Sequence, residues 1–195
     1  GMVIKMSKKK GLNQFILLPL FLGAVTLVAA GALTGVHLLT KPKIAENVKQ
    51  KQLEGYKKVL DLELSAVIDL AAQTVSDDLA QIGVTNKYRV TIDNEEVGVV
   101  YDANIKAWEP DLIFQVGFRE DYYSGFNLIS TKETPSIGGV YLDGVNDRIK
   151  GVKIGDPILN DSDPSYTGQT APVTAGALRT ALEACAQDYL EGRNA

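Results

Sequence analysis

Apolar residues recur at spacings of three and four near the C-terminus. Val173, Ala177, Leu178, Ala181, Leu182, Cys185 and Tyr189 fall on one face, which predicts an amphipathic helix over 173–190. Pro172 suits its first turn, where a missing N–H removes no helical hydrogen bond. Ile44, Val48, Leu53, Tyr56, Val59 and Leu60 form a second stripe among lysines and glutamates and predict a helix over 43–60. Val67, Leu70, Ala71, Val75, Leu79 and Ile82 predict a third over 64–82, with Asp77 and Asp78 on its solvated side. The character then changes. Segments 88–92, 97–101 and 112–118 carry β-branched and aromatic residues between turn signals such as Asp93-Asn94, and read as strands. Shorter strands are expected at 126–129 and 149–154, with turns or loops at Asp143-Gly144 and 160–164. The pattern predicts an α+β domain, a mainly antiparallel sheet flanked by helices.

Ahead of these elements, residues 15–39 carry no charge. At about 1.5 Å per residue such a run crosses a roughly 30 Å hydrocarbon core, so a transmembrane helix is expected there. The rival is a signal peptide, with Lys5 and Lys8 to Lys10 as its basic region and Ala30-Gly31-Ala32 as its cleavage site, but the apolar run is longer than such a segment needs. Gly31 and Gly35 make a GxxxG that would let another helix approach closely, and His37 lies near the outer end. Gly1 ahead of Met2 reads as the remnant of a cleaved tag. The lysines before the run are denser than Lys41, Lys43, Lys49 and Lys51 after it, which leans towards a cytoplasmic N-terminus and an extracytoplasmic domain. The expected layout is a basic N-terminus (1–14), a transmembrane helix (15–39), a helical connector (40–84) and a C-terminal domain (85–195).

Composition narrows the chemistry. The net charge of −4 argues against nucleic acid as a partner. Cys185 is the single cysteine, so an intrachain disulfide and a cysteine-built metal site are ruled out. The one histidine falls in the apolar run, which removes Ser-His and Cys-His pairs and histidine metal sites from the outer domain. Asp156, Asp161 and Asp163 read as a solvated loop, and no G-x-G-x-x-G or P-loop occurs. The residues offer no catalytic set and no metal site; whether the chain belongs to an enzyme is left open. The outer domain is expected to carry a cofactor or bind a ligand.

Two segments suit that role. Thr167-Gly-Gln-Thr170 stands just ahead of the C-terminal helix, where unpaired N–H groups and the helix dipole favour an anion such as phosphate; its plain alternative is an N-cap. Glu133-Thr-Pro-Ser-Ile-Gly-Gly139 places two glycines after a proline turn, the pattern of a backbone that comes close to something. Together with the stretch 38–44 after the apolar run, these segments resemble the FMN-binding domain family shared by the G subunit of the Rnf complex and the C subunit of the sodium-pumping NADH:quinone reductase. The similarity to the Rnf G subunit is the greater. The family shows a Glu-Thr-Pro-Gly-Leu-Gly loop and a Ser/Thr-Gly-Ala-Thr motif whose last threonine is esterified to FMN.

The resemblance implies a membrane-anchored electron-transfer subunit of an ion-translocating ferredoxin:NAD oxidoreductase, not catalytic by itself. It implies FMN bound covalently through a threonine phosphodiester at Thr170, with Thr174 as fallback. Thr167 and Gly168 open the motif, and Glu133, Thr134 and Gly138 lie in the loop near the flavin. A flavin transferase, the other membrane and redox subunits of the complex and the lipid bilayer are the implied partners, and a single-pass position in the inner or plasma membrane is the implied location. The chain departs from the family at Gln169, at Ser136 and Ile137, at Ala171-Pro172, and at Pro164 where the transferase prefers Asp. These departures motivate an alternative: a structural or assembly subunit of the same kind of complex that has lost its flavin.

Overall fold

A computed structural model of the chain describes residues 19, 21–23, 26, 46–160 and 171–194. The chain divides into two compact units, 1–50 and 51–195. In the first unit the described residues are helical, Phe21 and Leu22 are exposed, and Thr26 Oγ1 donates to the Leu22 carbonyl at 2.7 Å. The expected span, with Gly31, Gly35 and His37, lies almost wholly outside the described residues. Among the described residues no helix is long and apolar enough to cross a membrane.

The second unit is built on a five-stranded sheet with its strands in sequence order and every neighbouring pair antiparallel. These are β1 (Asp69–Gln73), β2 (Val84–Ile92), β3 (Glu95–Ile105), β4 (Leu112–Arg119) and β5 (Tyr122–Ser130). Asp93 and Asn94, at φ 51° and 68°, close the β2–β3 hairpin with the left-handed pair that a two-residue turn requires. Helix α1 (46–59) precedes the sheet and α2 (Asp77–Ile82) sits between β1 and β2. After β5 come a π-helical turn (Pro135–Gly139), α3 (Val140–Asp143), α4 (Val145–Ile149) and the long α5 (Pro172–Asn194).

Alternation along the strands gives the sheet two different faces. On one, Tyr101, Ala103, Phe114, Val116, Phe118 and Phe126 pack against Leu178, Leu182 and Cys185 of α5 and against Tyr141, Leu142, Val145 and Ile149 of α3 and α4. Burying each large side chain there stabilises the unit by roughly 1.5–3 kcal/mol. On the other face the last turns of α1 lie on nearly bare backbone. A Cβ added to Gly117 would stand 2.6 Å from the Val59 carbonyl oxygen, so only glycine permits that approach. Tyr56, Val59 and Leu60 pack there with Val90 and Val100.

Between these apolar contacts runs a polar layer. The Asp102 carboxyl, 8% exposed, accepts from Tyr56 Oη (2.6 Å), Gln52 Nε2 (3.0 Å), Asn86 Nδ2 (3.1 Å) and Gln115 Nε2 (3.1 Å). Gln115 in turn accepts from Asn127. A buried carboxyl needs such saturation, because each unmet acceptor loses its hydration without replacement.

Three expectations fail. The helix expected over 64–82, and with it the all-helical connector 40–84, gives way at β1. Asp61 at φ 55° follows the end of α1, and then burial alternates, with Ile68 and Leu70 half-buried while Val67 and Ala71 are exposed. Pairing of Asp69–Gln73 with β2 overrides the helical spacing, and α2 starts only where Ser76 Oγ accepts from the Leu79 N–H. The strand expected over 149–154 is absent, because Ile149 is buried at the end of α4 and residues 153–154 make isolated bridges only. Val173 points outward, 48% exposed, whereas Thr174 and Ala175 face the core. The acids Asp77 and Asp78 are exposed in the first turn of α2, as expected of a solvated side.

Candidate functional site

The meander fixes which loops share an end of the sheet. One end carries the β3–β4 turn, 106–111, and the exit of β5 into 131–139. The opposite end carries the β2–β3 turn and the β4–β5 turn at 120–121. Helix α5 is tied to this opposite end by its last turns. Tyr189 Oη donates to the Glu120 carbonyl at 2.8 Å, and the Arg193 guanidinium pairs with Asp121 at 2.6 Å. Helix α5, 23 residues long, also touches α2, which leads into the start of β2. The N-terminus of α5, with Thr174, therefore points to the same end as loop 131–139.

At that end Glu133 is the organising residue. Its side chain is 7% exposed and its Oε1 accepts the Glu109 N–H at 3.1 Å, joining the β3–β4 turn to the loop after β5. Its own N–H donates to Thr131 Oγ1 at 3.0 Å. A Cβ on Gly138 would lie 2.6 Å from Glu133 Oε2, so the glycine is what allows the π-helical turn to fold onto the carboxyl. The Thr134 carbonyl accepts the N–H groups of Ile137 (3.0 Å) and Gly139 (3.1 Å). The result is a braced loop with Glu133 and Gly138 tucked under and Thr134, Pro135, Ser136 and Ile137 exposed. Beside it Lys132 pairs with Asp111 at 2.5 Å; this contact and the Asn104 amide hold the Asp111 carboxyl below its ordinary range, and Asp111 raises Lys132.

Of the sequence-predicted residues, Glu133, Thr134 and Gly138 are thus brought together. Thr167, Gly168 and Thr170 lie outside the described residues. Thr174 is 1% exposed within the first turns of α5, where a phosphate would have to displace the packing around it. Sequence reasoning missed two participants, Glu109 and the exposed Trp108 beside it; the signal available was a lone tryptophan in a polar turn. Cys185 is a free thiol in the core, pushed well above its ordinary range by burial, and so unreactive. No group of metal-ligating side chains occurs among the described residues. A shallow cleft of about 220 Å³ lies at the opposite end, lined by residues such as Leu60, Tyr122 and Lys150, away from Glu133.

Fold and site together define an α+β domain of an antiparallel meander between helices, with a glycine-bearing loop braced against the β3–β4 turn at one end of the sheet. The model of the RnfG N-terminal region matches residues 20–59. That stretch of the chain is similar to the N-terminal region of an RnfG subunit of the Rnf complex. No curated protein gives a significant match to the chain.

Proposed function

We propose that the chain is the flavin-carrying electron-transfer subunit of an Rnf-type ferredoxin:NAD oxidoreductase, anchored in the membrane with its domain on the outer face. FMN is held through a phosphodiester to Thr170. The observation that supports the reading, beside the family match at 20–59, is the braced loop at the end of the sheet towards which α5 directs its first turn. The braced loop of Glu133, Thr134 and Gly138 stands at the end to which α5 points its N-terminus, and Thr167 to Thr170 directly precede that helix. The residues fit a ring-shaped ligand in one respect: the loop keeps its charge and its glycine underneath and offers Thr134 and Ser136 outward. The bound flavin supplies one-electron redox chemistry. The protein's part is to hold the phosphate at a helix N-terminus and to fix the ring against a loop that cannot shift without breaking the Glu133–Glu109 bond.

Co-expression with a flavin transferase tests the reading. A fluorescent band on a denaturing gel and an FMN mass on the peptide containing Thr170 are expected, and Thr170→Val should abolish both. Fluorescence that survives Thr170→Val but not Thr174→Val would move the attachment site to Thr174. Gln169 and Ala171-Pro172 favour the second reading, a subunit without flavin. A dark band from a chain that still assembles with its partners selects that one.

A further inference from the structure

The braced loop lies within an exposed apolar patch. Trp108 is 69% exposed at the tip of the β3–β4 turn, one residue from Glu109, whose N–H is bound by Glu133. Ile137 and Val140 are exposed on either side of Gly138, which packs on the same carboxyl. Ile129 at the end of β5 and Val173 at the start of α5 are half exposed at this end too.

The chain also comes into the domain from this end. Gln52 donates to Asp102, near the end of β3, whose carboxyl also accepts from Asn86 at the start of β2, whereas Val59 and Leu60 reach Gly117, Gly125 and Gly98 towards the opposite end. Twelve residue steps separate Leu39, the last of the uncharged run, from Lys51. They span about 18 Å as helix and roughly 30 Å with 40–45 fully stretched, which is no more than the length of the sheet. The patch is thus on a short tether, and the tether carries Lys41, Lys43 and the exposed Lys49 and Lys51. A tryptophan at a turn tip, aliphatic neighbours and nearby lysines match the layer where lipid headgroups meet acyl chains.

We propose that Trp108, Ile137 and Val140 rest this end of the domain on the headgroup layer of the bilayer, so that the loop at Glu133 faces the membrane. This rests on the membrane-anchor part of the proposed function and not on the flavin. Trp108 is the only tryptophan, so its emission reports the contact directly.

The test uses the full chain carrying Thr170→Val, which removes flavin quenching, in vesicles of phosphatidylethanolamine and phosphatidylglycerol with brominated acyl chains. The expected result is quenching by the brominated chains and several-fold protection from iodide, both lost in the double variant Ile137→Asp, Val140→Asp with its near-ultraviolet spectrum intact. Trp108 equally open to iodide in vesicles and in detergent would overturn the proposal. Protection that appears only when other Rnf subunits are added would also overturn it, in favour of a protein contact. Extraction with alkaline carbonate separates the two readings: a chain released by it has no anchor, whereas a retained chain with a water-exposed Trp108 leaves the anchor standing and sinks the contact alone.

Discussion

The two faces of the sheet are covered by different physics. Helix α5 lies on an apolar layer in which Phe118 stacks on Tyr189 with centroids 5.2 Å apart and meets Tyr101 edge-on at 5.6 Å. Helix α1 lies on glycines and on a buried carboxyl served by four side-chain donors. Apolar packing tolerates any partner of suitable volume. The hydrogen-bonded face accepts one register only, since a shift of α1 by one residue would strand Asp102. The element that links the domain to the N-terminal unit is therefore the one whose position is most narrowly specified.

The difference can be broken most forcefully from the apolar side. Phe118→Ala should lower stability by about 3–5 kcal/mol, because it removes a ring that contacts Tyr101, Tyr123 and Tyr189 and leaves a cavity. A denaturant midpoint shift at unchanged slope measures it. A loss under 1 kcal/mol would mean that the layer collapses onto the gap.

Asp102→Ala should have a smaller and more local effect, about 2–3 kcal/mol, from orphaned donors on Tyr56 and Gln115. Asp102→Asn, which keeps one acceptor, should lose less. Hydrogen exchange gives the sharper reading: amides of α1 should quicken while those of α5 keep their protection. Equal quickening in both helices would deny the independence of the two faces.

Alkali produces the most gradual change and touches both faces. Burial, reinforced by Asp102 for Tyr56 and by Asp188 for Tyr101, raises both phenols far above their ordinary value, and burial does the same to Tyr123. The folded state keeps these protons where the unfolded chain releases them. Stability is therefore full below about pH 10 and falls above it by about 1.4 kcal/mol per pH unit for each tyrosine. Melting temperatures between pH 9 and 11 should show this, and Tyr56→Phe and Tyr101→Phe should each flatten the slope. An unchanged slope in Tyr101→Phe would mean that its phenol already titrates in the folded protein.

Much of the framework was legible in advance. The segments at 88–92, 97–101, 112–118 and 126–129 all fall inside observed strands, because β-branched and aromatic runs between turns leave few alternatives. The C-terminal helix was legible from its spacing, though Val173 and not Thr174 was expected to be inside. The failures share a cause. At 64–82 the apolar spacing suited a helix, and only the unpaired edge of β2 made a strand of 69–73. At 149–154 a β-branched run was consumed by α4 and by two isolated bridges. Of the candidate site, the sequence pointed to Glu133, Thr134 and Gly138 but gave no reason to join them to Glu109, which lies 24 residues away.

By itself, the sequence determined what depends on local periodicity, on composition and on motif. It marked strands against helices over most of the domain, a long uncharged run ahead of them, and a loop and helix start worth watching. It also excluded an intrachain disulfide and histidine chemistry in the C-terminal domain. Tertiary structure decided what depends on pairing at a distance: the strand at 69–73, the saturation of Asp102, the brace between Glu133 and Glu109, and the gathering of that loop and the start of α5 at one end of the sheet. Hydrogen bonds and close approaches between remote residues leave no periodic trace, so only the folded chain could supply them.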